Sequence, residues 1–131
     1  MVNMDLQIGI KGEVEFTVTE EQTAKHLGSG GLYVFATPIL VAMMEKAAWS
    51  SVEDLLGEGM GSVGTLMNMT HDAATPIGMK VVCRSELIAI DGRKLSFNVE
   101  AYDEKGKIGG GYHERYIINN EKFQAKTNAK L

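Results

Sequence analysis

The chain has 131 residues, of which 44% are hydrophobic and 23% charged, the size and balance of one compact domain spanning residues 1–131. Seventeen acidic against thirteen basic side chains leave a net charge of −4, which argues against a nucleic-acid partner, since phosphate binding needs a basic face. No apolar run approaches the ~20 residues of a membrane span, and the start MVNMDLQIGI lacks the charged-then-apolar layout of a signal peptide. The expected protein is soluble and cytoplasmic.

The first element predicted is a strand over 13–19, where Val14, Phe16 and Val18 alternate with Glu15 and Thr17. Thr19, with Gln22 three residues on, reads as a helix start, and the short helix should end near Leu27. Gly28-Ser29-Gly30-Gly31 cannot hold regular structure and predicts a mobile loop.

Thr37-Pro38 then opens the clearest element, with threonine suited to the N-cap and proline to the first helical position. Ile39, Leu40, Met43, Met44, Ala47, Ala48, Val52 and Leu55 recur at three- and four-residue spacing up to Leu56-Gly57. A helix with so wide an apolar face is expected to be mostly enclosed.

Strand patterns follow over 62–71, 79–90, 94–102 and 107–119. Asp91-Gly92 marks a hairpin, and residues 103–106 make the next turn. Gly109-Gly110-Gly111 inside a strand points to a bulge or a close backbone approach. Residues 121–131 are polar and expected to fray at their end. One long helix must therefore be covered by a curved antiparallel sheet, an α+β arrangement. Its open edge strand and uncovered helix face call for a homodimer, or higher homo-oligomer, that continues the sheet edge to edge.

Few residues offer chemistry. Glu45 lies midway along the long helix. Either it sits at a cavity, where burial tends to raise a carboxylate pKa toward general-base values, or it shares an exposed stripe with Lys46 and Glu53. His71 ends its strand, either bonded to Asp72 or exposed. His113, beside Glu114 and Arg115, reads as part of a charged, solvated face, and His26 as a helix-end residue without a role. Thr37 is a cap, or a group near a helix N-terminus that polarises a carbonyl. Thr37 and Glu45 are roughly 12 Å apart on a regular helix. A direct bond between them would need a non-helical start or two different subunits. Gly64 in mid-strand would let a ligand or the helix approach its backbone. The single cysteine, Cys83, rules out a disulfide framework and reads as a small buried filler. No metal-ligand spacing occurs, so neither a metal nor a cofactor is expected. Met43, Met44, Met67 and Met69 read as core first and a pliable acyl pocket second.

Four ordered pieces carry a family resemblance. They are Val34-Phe35-Ala36-Thr37-Pro38-Ile39-Leu40-Val41-Ala42-Met43-Met44-Glu45, then Gly64-Thr65 with Thr70-His71, then Gly111 with His113-Glu114-Arg115, and finally Glu121-Lys122-Phe123 with Ala125-Lys126. Together they resemble the hot-dog-fold thioesterases of the fluoroacetyl-CoA thioesterase type, over residues 9–127. The resemblance implies a hot-dog fold paired as a dimer and hydrolysis of an acyl-CoA substrate. It further implies Thr37, Glu45 and His71 as catalytic residues, Gly64 near the acyl group and Arg115 in the substrate pocket. One stretch departs: the fluoroacetyl-specific enzyme has a longer lid with several phenylalanines, where this chain has only Gly28-Ser29-Gly30-Gly31-Leu32-Tyr33. Other uses of the same fold are a non-catalytic acyl-CoA sensor and an enoyl-CoA hydratase. Glu45 with His71 suits the sensor poorly, and the spaced aspartate–histidine pair of the hydratase is missing before the long helix.

Overall fold

The computed structural model describes residues 5–131, so the first four residues of the N-terminal stretch lie outside the described residues. The strands are β1 (Lys11–Thr17), β2 (Met60–His71), β3 (Lys80–Asp91), β4 (Lys94–Asp103) and β5 (Gly106–Asn119). The α-helices are α1 (Ala24–Leu27), α2 (Thr37–Val52) and α3 (Asn120–Asn128). All five strands form one antiparallel sheet in the order β1-β3-β4-β5-β2. The β3–β4 hairpin closes at Asp91-Gly92, with Gly92 at φ +59 as such a turn requires. The long connection from β2 to β3 carries the chain across the sheet, so β2 ends beside β5 and at an edge.

Helix α2 lies against β1 and β3. Leu40, Met44, Ala47, Ala48 and Val52 are buried and pack with Val81, Cys83 and Leu87 of β3 and Phe97 and Val99 of β4. Small residues at 47 and 48 let the helix approach closely, and Gly12 of β1 completes the fit. A Cβ at Gly12 would run into the Ala47 carbonyl and come within 2.7 Å of Ser85 Oγ and 2.8 Å of Ser51 Cβ. Gly12→Ala must therefore push the helix off the sheet. It should destabilise the protein by about 1–3 kcal/mol, the usual cost of overpacking, read as a lower urea midpoint at constant m-value. An unchanged midpoint would show that the helix rests elsewhere.

Several expectations change in detail. Thr37 is not the cap of α2. Ala36 holds the cap position in extended conformation, Thr37 is already helical, and no side chain caps the first turn. The threonine hydroxyl is thus released for another partner. Residues 20–27 divide into a 3-10 turn, Glu20–Gln22, with the Thr19/Gln22 capping box, and the single turn of α1. The polar tail holds a helix that its composition did not suggest: Asn119 accepts a hydrogen bond from the Lys122 N–H and starts α3. Acidic Glu121 in its first turn and basic Lys126 in its last suit the helix dipole. One expectation does hold here: α2 keeps an uncovered face within one chain. Pro38, Ala42, Lys46 and Trp49 form an open stripe.

Three bulges set the register. One extra residue stands at Thr65 of β2 against β5, one at Ile88 of β3 against β4, and one at Ile108 of β5 against β4. The triple glycine also brings backbones close: side chains at Gly109 and Gly111 would strike the Thr70 and Asn68 carbonyls of β2.

Candidate active site

The segment leading into α2 is stitched on both sides. Thr23 pairs with Phe35 and Val34 with Pro76 as isolated bridges, while the Ala36 N–H donates to the Gln22 carbonyl at 2.9 Å and the Phe35 N–H to the Thr75 carbonyl at 2.9 Å. Beyond His71 the Ile108 bulge stops the ladder: its carbonyl accepts the N–H groups of both Asp72 (2.7 Å) and Ala73 (3.2 Å). Thr75, fully buried, donates from its hydroxyl to Asp103 at 2.8 Å and holds the connection in place. These constraints deliver the start of α2 to the end of β2.

There Thr37 Oγ1 lies 2.8 Å from His71 Nδ1, a bond between residues 34 apart in sequence. The pair borders a cavity of about 290 Å³ lined also by Ala24, Ser29, Phe35, Pro38 and Asp72. Phe35 presents its ring edge-on to the imidazole, 6.2 Å between centroids at 73°. The other imidazole nitrogen, Nε2, is buried and has no hydrogen-bond partner among the described residues. A buried polar atom without a partner is costly, and here it belongs to the group that touches the cavity. Burial also pushes the His71 pKa below that of a free imidazole, opposed more weakly by the Ala73 backbone and, less again, by the Asp72 charge. His71 is therefore neither exposed nor paired with Asp72. Asp72 instead accepts from the Thr70 hydroxyl at 3.0 Å.

Glu45 lies elsewhere. It is two turns further along α2, on the open stripe, with its side chain 41% exposed. Its carboxylate meets Arg115 NH1 at 3.8 Å, and both border a second hollow with Ala42, Lys46 and Trp49. Glu53 is not part of that pair: it accepts the Trp49 indole N–H at 2.9 Å. Arg115 is nearly buried, its Nε donating to Ser62 Oγ (2.8 Å) and its NH2 to the Ser62 carbonyl (2.9 Å). Gly64 stands opposite Arg115 in the sheet, and a Cβ there would sit 2.5 Å from Glu45 Oε2 and 3.4 Å from Arg115 NH1. The sequence-predicted residues thus assemble as two groups within one chain, Thr37 with His71, and Glu45 with Gly64 and Arg115.

His113 departs from its expected solvated face. It is 1% exposed and joins the second group through Arg115 NH1, 3.3 Å from its Nε2. A period-2 reading back from apolar Ile117 would have found it, since Ile117, Arg115 and His113 share one side of β5. Ser62 carried no such signal. Cys83 is fully buried, and burial raises its thiol to about 12, which leaves it inert at neutral pH.

A model of the FlK family, fluoroacetyl-CoA-specific thioesterases, matches residues 18–121. The chain belongs to the fluoroacetyl-CoA-specific thioesterase family. A fluoroacetyl-CoA thioesterase from Streptantibioticus cattleyicolor is 38% identical over 95% of this chain and 94% of its own. A threonine-to-serine variant of FlK, solved in complex with acetyl-CoA, is similar with a TM-score of 0.91 at 37% identity, covering 95% of this chain and 98% of that one. A hot-dog-like protein from Thermanaerovibrio acidaminovorans shares the fold alone, with a TM-score of 0.87 at 17% identity over 96% and 93% of the two chains. The α+β architecture is accordingly the hot-dog fold, α2 being the helix that the sheet wraps. Residues 28–33 form a short loop between α1 and the segment that leads into α2. That loop is anchored at its base, where Ala24 N–H donates to Val34 and Lys25 N–H to Leu32, and Lys25 lies 4.8 Å over the Tyr33 ring. Gly28 caps α1 in the left-handed region at φ +80, where a side chain would be strained. Among the described residues no helix is long and apolar enough to cross a membrane.

Proposed function

We propose that this thioesterase-family chain hydrolyses small acyl-CoA thioesters in a site shared by two copies of itself. Thr37 and His71 of one copy face the substrate together with Glu45 of the other. The observation that carries this reading is the Thr37–His71 pair bordering a cavity, with its inner nitrogen unpaired, while the needed carboxylate stands two helical turns away on an open face. Edge strand β2 runs beside that face. Among the described residues its outer backbone groups lack a partner strand, and Leu66 of β2 and Trp49 of α2 are exposed. Edge-to-edge pairing of two β2 strands would cover all of these.

In the reaction, a water molecule adds to the thioester carbonyl, the carbon–sulfur bond breaks, and free acid and CoA thiol leave. Glu45 either takes a proton from that water as it adds, or first attacks the carbonyl itself, expelling the thiolate and giving a mixed anhydride that the water then opens. His71 transfers the proton to the departing sulfur, and Thr37 holds the imidazole in line. Gly64 leaves room for the acyl end, and Arg115 borders the pocket. The short glycine-rich lid lacks the phenylalanines of the fluoroacetyl-specific enzyme, so acceptance of a fluorinated acyl group is not part of the proposal. A cytoplasmic location goes with this proposal, since CoA thioesters are multiply charged and do not cross membranes unaided.

Thiol release from a panel of short acyl-CoA substrates tests the activity. The shared site is tested by mixing inactive Glu45→Gln with inactive His71→Ala subunits. A twofold-symmetric dimer re-forms one intact site in each heterodimer, so statistical mixing should restore about a quarter of wild-type turnover. No recovery after verified subunit exchange would place all three residues in one chain's site.

A further inference from the structure

We propose that His113 is a positioning residue of the hydrolase: it locks the Arg115 guanidinium in one orientation and through it aims the Glu45 carboxylate. The inference rests on the reading of Glu45 as the catalytic carboxylate. His113 Nδ1 lies 2.8 Å from the Leu66 carbonyl on β2, 47 residues away in sequence. A carbonyl only accepts, so Nδ1 carries the proton. In the neutral ring Nε2 then presents a lone pair, and it is aimed at Arg115 NH1, 3.3 Å away. Arginine only donates, so the polarity of the whole chain is set: Arg115 to His113, and His113 to Leu66.

The other two guanidinium nitrogens are committed to Ser62, at 2.8 Å and 2.9 Å. Three anchors leave NH1 one free direction, toward Glu45 at 3.8 Å. The fold provides the receiving carbonyl through the bulge. Gly64 pairs with Arg115 but Leu66 with Glu114, so Thr65 is the extra residue, and its hydroxyl donates to the Glu114 carbonyl at 3.2 Å. Gly64 vacates the space between the three side chains: a Cβ there would lie 2.5 Å from Glu45, 3.3 Å from His113 and 3.4 Å from Arg115. Phe97 packs 6.0 Å from the imidazole centroid and closes its remaining face. Burial, helped by the Arg115 charge, holds the His113 pKa low, which keeps the acceptor lone pair available. Arg115 is thus an anchor for the carboxylate rather than a group held free for substrate.

The test compares His113→Leu and His113→Gln in the full-length enzyme, alone and in an Arg115→Ala background, with Glu45→Gln run alongside. A glutamine amide can donate to Leu66 and accept from Arg115, while leucine can do neither. His113→Leu should lower kcat by up to about 100-fold, the effect of a misaimed reacting group, with KM little changed. His113→Gln should recover most of that loss, and His113→Leu should cost nothing further once Arg115 is alanine. Full kcat in a folded His113→Leu enzyme, or an equal loss in the Arg115→Ala background, would overturn the proposal. Nitrogen-15 NMR of the imidazole at neutral pH reads the link without any activity, and without the leucine variant should that one fail to fold. Protonated Nδ1 with bare Nε2 is the expected state, and an imidazolium or an Nε2–H would contradict it. Wild-type turnover in Glu45→Gln would remove the catalytic reading instead, leaving the His113–Arg115 link to the NMR result.

Discussion

Glu45→Gln is expected to lower kcat/KM for the best acyl-CoA substrate by roughly 10²–10⁴-fold, the range lost with a positioned general base or nucleophile. Stability should hardly move. The Glu45 side chain is 41% exposed, and a pair that open to solvent adds little to folding. Its partner Arg115 keeps three other hydrogen bonds, two to Ser62 and one to His113. The variant keeps the volume and hydrogen-bonding capacity of the side chain and loses only its charge and basicity. A steady-state assay of thiol release, with thermal melting of the same sample, reads both quantities. Turnover within a few-fold of wild type would remove Glu45 from the chemistry.

His71→Ala should cause a loss of similar size, roughly 10²–10⁴-fold, and should also alter the pH profile. The sign follows from the environment. Burial disfavours the charged imidazole, so the folded-state pKa lies below its ordinary value of 6.5. The neutral ring, which pairs with Thr37 and takes part in proton transfer, therefore persists on acidification beyond the point where a free histidine would be charged. The acid limb of kcat/KM assigned to this group should fall below pH 6.5, and it should vanish from the residual activity of His71→Ala. An acid limb above the ordinary value would show a stabilised imidazolium and reverse the assignment. Thr37 supplies a hydroxyl that fixes the ring, so His71→Ala should cost more than any change at Thr37 that spares the helix.

Much of this fold was legible because its signals are local. Alternation marks β1 and β2, Asp91-Gly92 marks the hairpin, and the three- and four-residue spacing of Leu40, Met44, Ala47, Ala48 and Val52 marks the buried side of α2. The triple glycine announced a close backbone approach, and the structure has it against Thr70 and Asn68. Helix α3 escaped because its composition is polar and its start depends on one asparagine cap. Thr37 was misplaced by a single position. Threonine and proline suit the cap and first turn, but extended Ala36, tied to Gln22, occupies the cap.

The amino-acid sequence by itself determined which residues could do chemistry, and in what order they come: one threonine, one mid-helix glutamate and one strand-end histidine, within a family that hydrolyses thioesters. Only the tertiary structure decided how they group. Thr37 meets His71 because two short bridges and the Ile108 bulge bring a helix start and a strand end together. Glu45 meets Arg115 because of the pairing register between β2 and β5. His113 faces inward by the period of its own strand, but it meets the Leu66 carbonyl only because the Thr65 bulge on β2 sets that carbonyl opposite it. The physical reason is the two-residue period of a strand. One extra residue in a ladder exchanges its inner and outer faces, and whether a bulge forms depends on the neighbouring strand, which no local pattern records.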